Sequence, residues 1–430
     1  MALSRPRAAP REVMLCGGLF GLVAMLGIHF AEHGSYWDYS EGVYALTAQL
    51  WLHGADLYGH VVAAQPPGVF VAGAGLLAVH DSLEWLRLGV GALQLGGGLI
   101  GASIVWRLTE GRLATLLAPA AILLTPWAVH EHGALLPELV ALPFLLGGLR
   151  LSVEPRRAVA CGVLCGLLAL IKVPLILPAA VLVAMSVDRR RTAVAAVFTL
   201  VAGVLASALL GGGETIWREV VHAQTQAGHR SLSALAGFWA QGAWNLLGLL
   251  VPAGLAWVLR SRSRDPRLLR VAVCVALAML ATFATNFKEG TSLNIVVPVE
   301  ATLVPLSLAG AAFAAVGGLR PANGWLVAAL AGLAFTLVQT ASLVSSPTHP
   351  VGFLRPGSRP AWAVTETASQ LRASVTAARA CRPGLAFGGP PLVAMLAGRR
   401  MPDDQPDQFI TQTPVLHAVR AAIAIVPSCG

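Results

Sequence analysis

Long apolar runs alternate with short polar connections along most of this chain. That pattern predicts membrane-crossing helices, because about 20 consecutive apolar residues are needed to span hydrocarbon. Eleven runs approach that length: roughly 12–31, 86–106, 112–129, 134–150, 158–171, 174–187, 192–211, 241–259, 270–286, 293–316 and 325–345. A further run at 67–80 is near 14 residues and reads as a re-entrant or interfacial helix. Val43, Leu46 and Leu50 recur at helical spacing from Glu41 onward, which predicts a short amphipathic helix ending before Gly54. The expected fold is therefore an all-α polytopic membrane bundle, with a long first outer loop at about 32–85. The segment 212–240, with Glu214, Arg218, Glu219, His222 and His229, reads as a second, polar outer loop.

Near residue 346 the pattern changes. Pro347, Pro350, Pro356 and Pro360 form a linker, followed by a helical stretch at 361–379. Leu385-Ala386-Phe387 then looks like a strand, and Pro391 to Ala397 like a short helix. The division expected is 1–345 as the membrane domain and 346–430 as a small outer α/β appendage. The appendage has few apolar residues of its own and should pack on the membrane domain.

Composition agrees with the membrane reading: 56% of the 430 residues are hydrophobic, 12% are charged and mean hydropathy is +0.69. Arginine placement adds the orientation. With a cytoplasmic N-terminus and eleven crossings, seventeen arginines fall inside: 5, 7, 11, 107, 112, 150, 156, 157, 189–191, 260, 262, 264, 267, 270 and 320. The outer connections hold only Arg87, Lys172, Arg218, Arg230 and Lys288. The positive-inside rule selects this layout, and counting 67–80 as a crossing would invert it. The net charge of +9 is then an orientation signal and points to no nucleic-acid partner. The expected location is the cell (plasma) membrane, with the N-terminal run retained as a span. Cys16, Cys161, Cys165 and Cys274 read as packing residues, while Cys381 and Cys429 lie in the tail, where a disulfide is chemically feasible.

The chemistry-bearing residues gather at the outer ends of these runs. Asp38 and Glu41, three apart, can share a helix face and serve as a general base on a hydroxyl or ligands for a hydrated divalent cation. Equally, acids at that position cap a helix N-terminus. Only two lysines stand against 28 arginines, and both, Lys172 and Lys288, map to outer span boundaries. Each is placed either to hold a phosphate oxyanion or to snorkel to the interface. Glu138 opens a span, and Glu300 lies about two turns inside another, where pairing within the bundle is the plainer role. His130 and His132 flank Glu131, but an exposed loop without a fourth ligand makes a poor zinc site.

Taken in order, these segments resemble the GT-C superfamily of polyprenyl-phosphate-sugar-dependent glycosyltransferases, in particular the protein-mannosyltransferase and aminoarabinose-transferase-like families. Asp38-Tyr39-Ser40-Glu41-Gly42 with Tyr44-Ala45 is similar to the acidic motif of the first outer loop. Gly54, Leu57-Tyr58 and Pro66-Pro67-Gly68 follow with matching spacing. Leu136-Pro137-Glu138-Leu139 resembles the second acidic position, and Cys165 through Lys172 the glycine-leucine-alanine segment ending in lysine. Asn294 through Pro298 with Pro305 resembles the late asparagine–proline span, and Pro390 through Arg400 the outer strand–helix piece.

The resemblance implies transfer of one sugar from a polyprenyl monophosphate to a hydroxyl on a glycan, lipid or protein. It implies Asp38 and Glu41 as catalytic residues, with Glu138, Lys172, Lys288, Gln65 and Asn294 binding substrate. Two departures shift those roles. Ser40 stands before Glu41 where many relatives have adjacent acids, moving weight to Asp38; Gln65 replaces a basic residue before the proline pair, moving weight to the two lysines. No resident metal is implied, although a divalent cation would be compatible with the carboxylates. A transporter or flippase, or a non-catalytic assembly protein of the same fold, are the competing readings. Against the first stand the lack of an internal repeat and the collection of charges at one face.

Overall fold

The computed structural model describes residues 9–32, 38–211, 213–222, 225, 230–286, 293–316, 322–345, 368–381, 386–401 and 405–407. These form α1 (Arg11–Glu32), α2 (Tyr39–Leu52), α3 (Gly68–Val79), α4 (Leu83–Thr109), α5 (Arg112–Leu123), α6 (Pro126–His130) and α7 (Pro137–Leu151). The chain continues through α8 (Ala158–Ile171), α9 (Ile176–Met185), α10 (Arg189–Gly211), α11 (Leu232–Val258), α12 (Pro266–Ala284), α13 (Val296–Val316) and α14 (Ala322–Ser345). Two tail helices follow, α15 (Ala368–Ala380) and α16 (Pro391–Ala397). The protein is a multi-pass membrane protein: seven of these helices, among them α1, α4, α10 and α13, are long and apolar enough to cross a bilayer. Every run read as a span overlaps a described helix. α3, α5 and α9 are shorter apolar helices of 12, 12 and 10 residues.

Local chemistry sets the ends of these elements. Ser82 caps α4 by accepting from the Trp85 N–H at 3.3 Å, and Asp265 caps α12 by accepting from Leu268 at 3.0 Å, ahead of Pro266. The run 112–129, read as one element, is broken. Thr125 is extended because it precedes Pro126, so α5 stops at Leu123 and α6 begins afresh. A second correction concerns 212–240. The stretch 213–222 is helical and α11 starts at Leu232, nine residues before the expected span, because Ser231 caps it by accepting from Ala234.

α13 is the hub, packed by α4, α5, α7, α11, α12 and α14, with almost every side chain buried. Apart from Glu300, Thr302 and Ser307 its sequence is apolar all round, as suits a central helix. α10 and α14 instead expose apolar faces such as Val197, Phe198 and Leu205, which in a membrane meet lipid.

Of the strand expected at 385–387, Leu385 lies outside the described residues. Among the tail's described residues there is no strand; Phe387 N–H donates to the Arg400 carbonyl at 2.8 Å without extending into a ladder. As expected, the tail packs on the membrane domain, through α16 against α2. Cys381 is disulfide-bonded, and Cys16, Cys161, Cys165 and Cys274 are free thiols; Cys429 lies outside the described residues.

Candidate active site at the mouth of the bundle

Asp38 is the residue that starts α2. Its Oδ1 accepts from the Ser40 N–H at 2.7 Å, so it does cap the helix. The cap occupies part of the carboxylate, and the side chain remains half-exposed at the site.

Glu41, one turn on, is 1% exposed and faces the bundle. There Arg87, near the start of α4, donates from Nε to Oε1 and from a terminal nitrogen to Oε2, each at 2.7 Å. A bidentate, buried guanidinium–carboxylate pair thus engages both oxygens of Glu41. The sequence between Arg11 and Arg87 holds no lysine or arginine, and Arg87, which ends that gap, supplies the charge.

Glu138 and Lys172 also find each other. Pro137 starts α7 and places Glu138 in its buried first turn; Lys172 ends α8, and its Nζ donates to Glu138 Oε1. Both are buried, and Glu138 Oε2 has no partner among the described residues. The Pro66-Pro67-Gly68 turn arrives at the same place. A Cβ on Gly68 would lie 2.7 Å from the Leu170 carbonyl oxygen, so only glycine lets α3 start against the end of α8.

Tyr44 ties these groups together. Its hydroxyl is pushed well above the usual range by burial, then by the carboxylates of Glu138, Asp407 and Asp38, while a hydrogen bond with Gln65 opposes the shift. Four acidic or amide side chains from the first loop, α7 and the tail therefore act on one half-buried phenol. Tyr58, in left-handed backbone at φ 70°, is pinned by its own hydroxyl donating to the Gln65 carbonyl at 2.7 Å. Glu219 braces the same loop by accepting from the Ala63 N–H at 2.9 Å.

Beside this polar cluster lies an apolar cavity of about 380 Å³, lined by Tyr58, Pro67, Gly68, Val140, Phe144 and Ile171 among others. Its wall thus reaches the residues next to Lys172 and within one turn of Glu138.

Two groups were missed in the sequence. Asp407 lacks any motif; the tail brings it in, with Gln405 accepting from Val62 N–H at 2.8 Å and Tyr39 donating to the Pro406 carbonyl at 3.3 Å. Glu131 is buried, 3.0 Å from His130 Nδ1, and is raised to about 7 by burial, the charges of Asp38 and Glu138 adding and His130 opposing. It was set aside there as part of a weak zinc pattern. Among the described residues no group of three or more His, Cys, Asp or Glu is arranged to hold a metal ion.

The remaining expectations resolve differently. Asn294 is buried just before α13 with its Oδ1 unmatched by any donor among the described residues, and no described contact ties it to Tyr44. Glu300 accepts from the Trp127 N–H at 3.4 Å, across the start of α6. Lys288 lies outside the described residues.

No protein-family model matches the sequence, and neither does any curated relative. Among solved structures the chain is similar to ArnT from Cupriavidus metallidurans in the apo state, with a TM-score of 0.63 and 17% identity over 95% of this chain and 88% of that one. It is similar also to the same protein bound to undecaprenyl phosphate, with a TM-score of 0.61 and 17% identity over 89% and 84% of the two chains. At that identity the likeness speaks for architecture: over nearly its whole length this chain shares the fold of ArnT.

Proposed function

We propose that this protein is a membrane glycosyltransferase that moves one sugar from a polyprenyl-monophosphate donor to a hydroxyl acceptor at the outer face of the cell membrane. The observation that carries the reading is the closeness of unlike surroundings: a carboxylate-rich polar cluster around Tyr44, and an apolar cavity walled by Pro67, Val140 and Ile171, close in the chain to Gln65, Glu138 and Lys172. A polyprenyl phosphate has those two halves, and the ArnT relative was solved with undecaprenyl phosphate bound.

In the proposed step Asp38 takes the proton from the acceptor hydroxyl as its oxygen attacks the anomeric carbon. The bond from that carbon to the phosphate oxygen breaks, and polyprenyl phosphate leaves with the electron pair. A phosphate leaving group needs no acid, so one base suffices. Glu41, held by Arg87, fixes the start of α2 and thereby Asp38. Lys172 shares its ammonium between Glu138 and the donor phosphate, offsetting the charge that develops there. Gln65 orients Tyr44, and Lys288 and Asn294 stay candidates for the donor side. Eleven crossings, a cytoplasmic N-terminus and an outer tail belong to the same proposal. They are supported by the arginine asymmetry and checked by reporter fusions after Arg191 and His349, which must report opposite sides.

The deciding experiment incubates purified protein with radiolabelled polyprenyl-monophosphate sugars and scores transfer or hydrolysis. Release of polyprenyl phosphate from at least one donor, lost in Asp38→Asn, is the expected result. Intact donor throughout the panel overturns the enzyme reading in favour of an assembly protein; donor moved across vesicles without bond cleavage favours a flippase.

A further inference from the structure

At the end of the bundle opposite the candidate site, the arginines fall into two kinds. Arg107 donates to Glu154 at 2.9 Å and to Asp265 at 2.6 Å, Arg264 lies 3.8 Å from Glu110, and Arg262 donates to the Phe313 carbonyl. These arginines join connections between helices. Arg260 and Arg270 have no carboxylate partner among the described residues, and both line a cavity of about 470 Å³ where α11 ends and α12 begins.

The cavity has two unlike walls. One is basic: Arg260 and Arg270, with the Ser261 hydroxyl, and no acidic side chain. The other is apolar: Trp257, Val258 and Leu269, of which Trp257 is 41% and Val258 58% exposed, on a helix long enough to cross a bilayer. Arg260 is already organised. Its guanidinium lies 5.1 Å over the Trp257 ring and donates to the Trp257 carbonyl at 3.2 Å, leaving its other donors facing outward. Asp265, the nearest acid in sequence, is taken by Arg107 and by capping Leu268, so it neutralises neither guanidinium.

We propose that this cavity is a binding site for the headgroup of an anionic phospholipid. Two guanidiniums can grip a phosphodiester in bidentate fashion, the serine hydroxyl reaches a glycerol oxygen, and the tryptophan and valine wall receives the glycerol backbone and the first acyl carbons. A soluble phosphate would leave that apolar wall uncovered. This inference concerns the opposite end of the bundle from the proposed transferase site and does not depend on it.

The test uses the full chain purified in a phosphatidylcholine background and titrated with phosphatidylglycerol, with bound lipid read by native mass spectrometry and stability by thermal unfolding. The wild-type protein should retain phosphatidylglycerol through delipidation and unfold at a higher temperature with it. Arg260→Gln combined with Arg270→Gln should bind roughly thirty-fold more weakly. Both side chains are exposed, so the variant should fold and unfold like wild type in phosphatidylcholine alone. Arg156→Gln combined with Arg157→Gln, exposed at another connection, should bind like wild type. Three results overturn the proposal: retention by the 260/270 variant equal to wild type, equal loss in both double variants, or the same stabilisation from inorganic phosphate at matched concentration.

Discussion

The two ends of α4 show opposite uses of the same side chain. Near its start Arg87 is buried and donates from Nε and a terminal nitrogen to one buried carboxylate, Glu41. Near its end Arg107 is shared between Glu154 and Asp265, acids on two different connections. The first fixes the root of the helix that carries Asp38; the second ties together loops. Around the first, carboxylates outnumber the described cations, and Glu41, Glu131 and Glu138 are buried. Around the second, arginines are in excess and mostly exposed. A buried surplus of acid suits proton transfer and an exposed surplus of base suits a charged surface, so the two ends are built for different tasks.

The sharpest way to break that contrast is to remove Arg87. Arg87→Ala leaves Glu41 buried without a counter-charge and should cost about 3–5 kcal/mol, read as a large fall in unfolding temperature. Replacing both partners by apolar residues of similar size should recover much of it. A loss below about 1 kcal/mol for Arg87→Ala would mean that water already reaches the pair.

Asp38 gives the next largest effect, on turnover. Asp38→Asn should lower the rate at least ~100-fold while the protein still folds. Asp38→Ser separates the two roles read for this residue, since serine caps a helix as well as aspartate does but is no base at neutral pH. Activity kept in the serine variant would reduce Asp38 to a cap.

A third test uses pH at the turn after α6, outside the spans. Glu131 is raised from 4.5 to about 7, so between those values the folded state holds more protons than the unfolded one and stability falls as pH rises. His132 is lowered from 6.5 to about 4 by burial, with His29 adding, so there the unfolded state holds more protons and stability rises with pH. The two slopes oppose each other in nearly the same window. Glu131→Gln should therefore expose a stability that climbs between pH 4 and 6.5, and His132→Gln one that declines between 4.5 and 7, each by on the order of 2 kcal/mol. Flat profiles in both variants would show that neither group is dry.

The smallest effect belongs to the opposite end. Arg264 and Glu110 are exposed and 3.8 Å apart, so Arg264→Ala should change stability by no more than about 0.5 kcal/mol, and less at high salt. A cost near that of Arg87→Ala would erase the distinction drawn between the two ends.

The helices could be placed from sequence because their cause is local. Twenty-odd apolar residues at 293–316 must be a helix in lipid wherever they sit, and Pro137 and Pro66-Pro67 mark starts without reference to partners. The same local information misplaced the start of α11, where Ser231 offered a cap inside a segment that looked like a loop. It also suggested a strand at 385–387, of which Leu385 lies outside the described residues and Phe387 makes a single backbone bond to Arg400.

For the site, sequence order and outer location were enough to nominate Asp38, Glu41, Gln65, Glu138 and Lys172. Their assignments depended on pairings across 46 residues for Glu41 with Arg87 and 34 for Glu138 with Lys172. Asp407 enters only because Gln405 bonds the first loop from 343 residues away. Hydropathy and capping are carried by neighbours along the chain, so the sequence by itself determined a membrane bundle and where its helices run. Whether a carboxylate is a base, a buried half of an ion pair or a field acting on a tyrosine depends on which charges packing brings within a few ångströms, and the tertiary structure alone decided that.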